Sequence, residues 1–125
     1  MTHDARKIAL AYIDACGRKD HDAVAALLHP ELQFVGPSRP IAGIPAYLDA
    51  LRMVGRVWVR SDVKKAFVDG GEVCVIYDIV TDTPAGAVPA MEWIRVVEGK
   101  IARITLIYDR VAFAPAADEI KRRAA

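Results

Sequence analysis

The stretch from Met91 to Asp109, MEWIRVVEGKIARITLIYD, decides the fold. Two arms rich in β-branched residues, 91–97 and 100–108, flank the dipeptide Glu98-Gly99. A two-residue hairpin turn requires positive φ angles, which glycine adopts without steric cost. The pattern therefore predicts two long antiparallel strands that fold back on each other at Glu98-Gly99.

The overall composition indicates one globular domain of ordinary size. The chain has 125 residues, of which 54% are hydrophobic, and this is enough to bury a substantial core. Lysine and arginine number 17 against 16 aspartates and glutamates, a formal charge of +1. A nearly neutral chain gives no electrostatic reason to bind nucleic acid or an anionic membrane, so we expect neither partner.

The N-terminal sequence and the cysteines bear on cellular location. MTHDARK is not followed by the apolar core of a signal peptide, and no apolar run is long enough to cross a bilayer. We therefore expect a cytoplasmic protein. Cys16 and Cys74 lie far apart in apolar segments, so they are predicted to be reduced core residues rather than a disulfide or metal pair.

Hydrophobic spacing predicts three helices in the first half of the chain. The first covers residues 4–16, and the second covers 21–28 after Asp20, whose side chain can cap free amides. Residues 32–35 form a short strand, and the loop 36–43 is rich in glycine and proline. The third helix begins at Pro45, a residue that suits a first helical turn, and continues to about residue 54.

The second half of the chain is predicted to be a meander of strands, over residues 57–68, 72–81, 91–97 and 100–108. The sequence therefore predicts an α+β fold in which a curled antiparallel sheet forms a cone around three N-terminal helices. Residues 1–112 are expected to form the single domain, and residues 113–125 a short C-terminal tail, either a loose helix or a frayed end. If side chains do not fill the wide end of the cone, it becomes an apolar pocket with a few polar groups.

Three segments carry a family resemblance: AYIDACGRKDHDAVAALLHPELQFVGP, the PIAG loop with the IPAYLDAL helix, and EWIRVVEGKIARITLIYD. Together they resemble the nuclear-transport-factor-2-like superfamily in its SnoaL-like branch, over roughly residues 4–112. The resemblance implies a cystatin-like roll with a cone-shaped pocket, a small hydrophobic ligand, and commonly a homodimer formed through the outer face of the sheet. The superfamily includes ketosteroid isomerases, limonene epoxide hydrolases, polyketide cyclases and proteins without activity.

Three carboxylates are the candidate catalytic residues: Asp109, Asp78 and Glu92. An acid at the wall of an apolar cavity loses hydration, which raises its pKa toward the range where it can move protons. In the epoxide hydrolases the two aspartates that the resemblance aligns with Asp78 and Asp109 are bridged by an arginine, whose position here is Ile76. In the polyketide cyclases a single aspartate near the position of Asp109 is the acid/base. Strict alternation along the last strand would send Asp109 outward unless a bulge intervenes.

The isomerase pattern is only partly present. The position of its general base is matched by Gly36, which cannot take a proton, whereas its tyrosine and its protonated acid fall near Tyr12 and Glu92. The candidate substrate-binding residues are aromatic: Tyr12, Phe34, Tyr47, Trp93 and Tyr108. Trp93 is also a candidate for sheet packing or a dimer interface.

No cofactor or metal is expected. The sequence has no phosphate-binding loop, no nucleophilic serine elbow and no cofactor fingerprint, and His3, His21 and His29 are too scattered for a metal site. Two hypotheses follow: a cofactor-free hydrolase, cyclase or isomerase that uses pocket carboxylates, or a non-catalytic module that binds a hydrophobic ligand or dimerises. A common cavity shared by Asp78 and Asp109 would favour the enzyme, and an interior filled by side chains would favour the module.

Overall fold

A computed structural model describes residues 4–124, so His3 and the last residue of the expected tail lie outside the described part. Within it the chain forms four helices: α1 (Ala5–Gly17), α2 (His21–Leu27), α3 (Ile44–Val54) and α4 (Arg110–Ala124). The same residues form six strands: β1 (Leu28–Val35), β2 (Pro40–Ala42), β3 (Trp58–Asp69), β4 (Glu72–Thr81), β5 (Ala87–Val97) and β6 (Lys100–Tyr108). None of the helices in this range is long and apolar enough to cross a membrane.

The six strands form one open sheet in the order β2-β1-β6-β5-β4-β3. The hairpin of β5 and β6 turns at Glu98 and Gly99, whose φ angles of 53° and 78° suit a two-residue turn that needs positive φ at both positions. This confirms the strand pair predicted from residues 91–109. Register shifts interrupt the β1/β6, β3/β4 and β5/β6 pairings, and such bulges bend strands and increase their twist.

The strand directions and the order of the helices differ from the sequence prediction. The sheet is mixed rather than antiparallel, because β1 lies parallel to β6. The helices are not all N-terminal to it, because α3 follows β1 and β2, and α4 closes the chain. The predicted loop contains β2, which pairs with β1 through Phe34 and Ile41. Local periodicity could not reveal the pairing of β1 with β6, since it joins segments that are distant in the chain.

The main core lies between α1 and the inner face of the sheet. Side chains at alternating positions of the strands point to this face and are fully buried, including Val73, Val75, Ile94 and Ile104. From α1, Tyr12 and Ile13 are buried against them. Asp4 and Asp20 cap the first two helices by accepting hydrogen bonds from the amides of Lys7 and Ala23.

The C-terminal residues, for which the sequence predicts a loose helix or a frayed end, form the helix α4, which is packed against the rest of the chain. From α4, Phe113, Ala116 and Ile120 are buried in a second cluster with Val57 and Val88. Their spacing of three and four residues places them on one helical face. The helix thus covers one end of the sheet, where it forms part of the wall of the cavity described next.

Candidate functional site

A cavity of about 310 Å³ lies between the inner face of the sheet, α3, α4 and the loop that joins β1 to β2. Its lining is mostly apolar and includes Leu51, Trp58, Ile79, Leu106 and Phe113. This volume lies at the lower end of the range typical of small-molecule sites. The interior enclosed by the sheet is therefore not completely filled by side chains.

The inner wall of the cavity carries one carboxyl group, that of Glu92 on β5. Its side chain is buried, with 2% of the residue exposed. Glu92 Oε1 accepts a hydrogen bond from the Tyr12 hydroxyl at 3.1 Å, and Oε2 accepts one from the Tyr77 hydroxyl. Tyr12 is in turn hydrogen-bonded to the hydroxyl of Tyr47. The four side chains form a continuous chain, Tyr47-Tyr12-Glu92-Tyr77, which we call the tyrosine-glutamate cluster.

Burial controls the protonation of this cluster. It raises the pKa of Glu92 from 4.5 to about 7, because loss of hydration penalises the carboxylate more than the hydrogen bonds from Tyr77 and Tyr12 stabilise it. Burial likewise raises the pKa values of Tyr12, Tyr47 and Tyr77 well above their ordinary range, so these hydroxyls stay protonated. Glu92 is therefore the member of the cluster that changes charge near neutral pH.

Counting hydrogens shows what this arrangement can do chemically. When Glu92 is ionised, the three tyrosine hydrogens match three hydrogen bonds: Tyr47 to Tyr12, Tyr12 to Glu92, and Tyr77 to Glu92. A proton taken up by Glu92 is a fourth hydrogen for three contacts, so one hydrogen of the cluster then has no partner inside it. Because Glu92, Tyr47 and Tyr77 all line the cavity, this extra hydrogen can be donated to an oxygen atom of a bound molecule.

Cys16 lies behind the cluster, on α1. Cys16 is 2% exposed, and burial raises the pKa of its thiol well above the ordinary value. Cys16 and Cys74 are both free thiols, but only Cys16 is the core residue that the sequence predicts, because Cys74 is partly buried on the outer face of the sheet. Nowhere in residues 4–124 do three or more histidine, cysteine, aspartate or glutamate side chains come together in a way that could hold a metal ion.

The structure brings together four of the sequence-predicted site residues around the cavity. Glu92, Phe34, Tyr47 and Tyr108 line it directly. Tyr12 does not reach the cavity surface but contacts Glu92 from behind. The rings of Phe34 and Tyr47 are in contact, with centroids 5.0 Å apart, and so form a continuous aromatic wall.

Asp78 is placed on the outer face of the sheet, outside the cavity. Tyr77 precedes it in β4 and points inward, so alternation along the strand directs Asp78 outward. Its carboxylate forms an ion pair with Lys64 Nζ at 3.4 Å. The expectation that Asp78 shares the cavity with another carboxylate is thus corrected.

Asp109 is also outside the cavity, at the exposed start of α4. Its Oδ1 accepts hydrogen bonds from the amides of Val111 at 2.9 Å and Ala112 at 3.1 Å. These contacts are typical of a helix N-cap, which satisfies amides that lack partners within the helix. The expectation that Asp109 faces the pocket is corrected for this reason.

Trp93 does not line the cavity either. It follows Glu92 on β5 and therefore points to the outer face, where the residue is 52% exposed and its indole Nε1 donates to Glu72 Oε1 at 2.7 Å. The structure adds two residues that the sequence analysis did not select, Tyr77 in the cluster and Arg39 on the cavity wall. The alternation of Val73, Val75, Tyr77 and Ile79 was a signal that could have placed Tyr77 inside.

Comparison with known proteins identifies the family. The SnoaL-like domain family matches residues 9–104. No curated protein matches the chain. A protein from Kribbella flavida DSM 17836 is 28% identical in sequence, with 93% of this chain and 95% of that chain covered and a TM-score of 0.81.

Two further solved structures share the fold at lower identity. A proposed ketosteroid isomerase from Kribbella flavida DSM 17836 is 22% identical, covers 84% of this chain and 77% of that chain, and has a TM-score of 0.73. A proposed SnoaL-like polyketide cyclase from Jannaschia sp. CCS1 is 17% identical, covers 90% of this chain and 92% of that chain, and has a TM-score of 0.75. Because the family model matches more than half of the chain, the chain belongs to the SnoaL-like domain family.

Proposed function

We propose that this protein binds a small hydrophobic molecule with a carbonyl or hydroxyl oxygen, and that Glu92 exchanges a proton with it. The observation that carries the proposal is the tyrosine-glutamate cluster at the wall of a cavity of about 310 Å³. The apolar lining favours a hydrophobic body, and the cluster supplies the few fixed polar groups that orient a ligand in such sites. No cofactor is part of the proposal.

The protonation of Glu92 supports a role in acid/base chemistry. An acid or base works best when its pKa lies near the working pH, and burial raises the pKa of Glu92 to about 7. The protonated form can donate its hydrogen to a ligand oxygen as negative charge develops there. The ionised form can accept a proton from the same molecule, so keto-enol interconversion or ring closure of a carbonyl compound is the reaction class that we propose.

The mechanism cannot be the complete isomerase pattern. The position that would carry the isomerase base is Gly36, which lines the cavity but has no side chain to accept a proton. A second carboxylate from Asp78 or Asp109 would have to enter from outside the cavity, where both have partners of their own. Glu92 is the one acid among the lining residues of the described range 4–124, so a catalytic cycle would use it for both proton transfers.

A panel of small enones, epoxides and 1,3-dicarbonyl compounds tests this proposal, with turnover and binding followed in parallel. Glu92→Gln keeps the size of the side chain but removes the exchangeable proton, so turnover should fall at least a hundredfold, within the range typical of general acid/base catalysis. Asp78→Asn and Asp109→Asn are the matched controls and should keep wild-type turnover. Loss of turnover in a control but not in Glu92→Gln would refute the assignment.

Ligand binding without catalysis is the second candidate function. It is favoured by the presence of a single acid in the cavity lining, since many acid/base reactions use two groups of different pKa. It predicts that compounds of the panel bind but are not converted. Glu92→Gln would then change affinity and leave no activity to lose.

We further propose that the protein is a homodimer through the outer face of the sheet. Phe67, Cys74, Ile76, Trp93 and Ile107 lie there on neighbouring strands and form the outer apolar patch, in which all but Cys74 are at least 36% exposed. Charged residues of both signs flank the patch. They are neighbours in register on four adjacent strands: Asp69, Glu72, Arg95 and Arg103. A surface that is apolar at its centre and carries both charges at its edge can be complementary to itself under twofold symmetry.

A further inference from the structure

Arg39 has an unusual position for a surface arginine. It lies between Pro37 and Pro40 in the segment that joins β1 to β2, and it lines the cavity while its side chain remains exposed. Some exposed arginines, such as Arg52, form ion pairs with aspartates, and others, such as Arg6, form none within residues 4–124. Within residues 4–124, Arg39 has no ion pair or hydrogen bond with another side chain. Its guanidinium is thus available to a bound molecule.

The charged groups of the cavity lie at different depths. Arg39 and Glu92 are the two charged residues among those that line it within the described chain. Glu92 is buried, whereas Arg39, Ser38 and Met53 are exposed and mark the mouth. Tyr108, which is partly buried, also lines the cavity. A ligand therefore meets positive charge at the entrance and the tyrosine-glutamate cluster inside.

We propose that the ligand is a hydrophobic organic carboxylate whose charged group lies at the mouth against Arg39, with its apolar body inside the cavity. This inference rests on the proposed function and adds to it the substrate class and the orientation. The guanidinium can donate two parallel hydrogen bonds to a carboxylate, and Ser38 can donate a third. The opposite orientation is unfavourable, because it would desolvate the anion and place it next to Glu92.

A matched pair of ligands tests the inference: 2-naphthoate and its neutral counterpart 2-naphthamide, which have the same ring system. Binding of each is measured by isothermal titration calorimetry at pH 7 and low salt. Wild-type protein should bind the acid about fivefold more tightly than the amide, which is near the upper limit for a partly exposed ion pair. Added NaCl should weaken binding of the acid and leave that of the amide unchanged.

Substitutions then assign the preference to one side chain. Arg39→Gln should remove the fivefold preference by weakening only the acid, and Arg39→Lys should retain part of it. Arg52→Gln is the control, because Arg52 is a similarly exposed cation on α3 that does not line the cavity and pairs with Asp49. It should behave like wild type.

The outcomes separate this inference from the proposed function. Equal affinity for acid and amide, or a preference that survives Arg39→Gln, would overturn the role of Arg39 while leaving ligand binding in the cavity intact. Failure of both compounds to bind up to their solubility limits would overturn both proposals.

Discussion

Replacing Glu92 by glutamine should change how the stability of the protein depends on pH. In the unfolded chain this carboxyl loses its proton near its ordinary pKa of 4.5, whereas the folded protein keeps the proton until about pH 7. Between these values the folded state binds one more proton than the unfolded state, so stability falls as pH rises. Below pH 4.5 both states are protonated, and above pH 7 both are ionised, so the contribution is constant in each range.

The magnitude follows from the size of the shift. A difference of one pKa unit corresponds to about 1.4 kcal/mol, so a rise from 4.5 to about 7 corresponds to about 3 kcal/mol. Glutamine does not titrate and can still exchange hydrogen bonds with Tyr12 and Tyr77. The stability of Glu92→Gln relative to wild type should therefore increase by about 3 kcal/mol between pH 4 and pH 8.

Urea denaturation at pH 4, 5.5, 7 and 8 measures this difference for the wild type and the variant. Glu31→Gln is the control, because Glu31 is an exposed glutamate on β1, and surface substitutions of this kind change stability by about 0.5 kcal/mol or less. A stability difference between Glu92→Gln and wild type that stays constant over this pH range would contradict the raised pKa of Glu92. It would mean that Glu92 titrates alike in the folded and unfolded chains.

Three further predictions concern other parts of the account. Tyr12→Phe removes a hydrogen bond that lowers the pKa of Glu92, so a carboxyl titration of this variant should give a pKa above 7. An unchanged pKa would show that Tyr12 does not stabilise the carboxylate. Asp109→Ala should lower the free energy of unfolding, measured by urea denaturation, by about 1 kcal/mol, because the N-cap of α4 is lost. Asp109→Asn should leave this free energy nearly unchanged, and equal losses in the two variants would argue against a capping role. Trp93→Glu should convert a dimer to a monomer in sedimentation velocity, and a wild-type protein that is monomeric at micromolar concentration would contradict the proposed interface.

Most of the fold could be predicted because it is encoded in local patterns. The dipeptide Glu98-Gly99 specifies a two-residue turn, and strand β4 covers residues 72–81 as predicted, since turn residues bound it on both sides. The parallel pairing of β1 with β6 could not be predicted in this way. It joins residues about 70 positions apart, and no local signal specifies which edge of β6 receives β1.

The packing of the C-terminal helix could not be predicted, because the composition of the segment hides its apolar face. Pro115 lies within α4, and alanines dominate the segment, which indicated a loose or frayed end. The buried residues of this helix nevertheless follow helical spacing: Phe113, Ala116 and Ile120. Asp109, three residues before Ala112, is the N-cap signal that marks the start of this helix.

Strand parity explains which of the candidate strand residues line the cavity and which do not. Adjacent strand residues point to opposite faces, so an inward Glu92 requires an outward Trp93, and an inward Tyr77 requires an outward Asp78. The cluster members that lie on helices could not be predicted from strand parity. Tyr12 and Tyr47 come from two helices, and only the tertiary structure shows that they join Glu92 in one cluster.

The titration of the Glu92 side chain measures whether the cavity holds a carboxyl group that exchanges protons near neutral pH. In protein labelled with ¹³C in its five glutamates, the Glu92 carboxyl resonance is identified by its absence from Glu92→Gln and followed from pH 4 to pH 9. A midpoint near pH 7 is expected, because the carboxyl is buried and hydrogen-bonded at the wall of the cavity. A midpoint near 4.5 would show a well-hydrated carboxylate and would contradict its role in proton exchange.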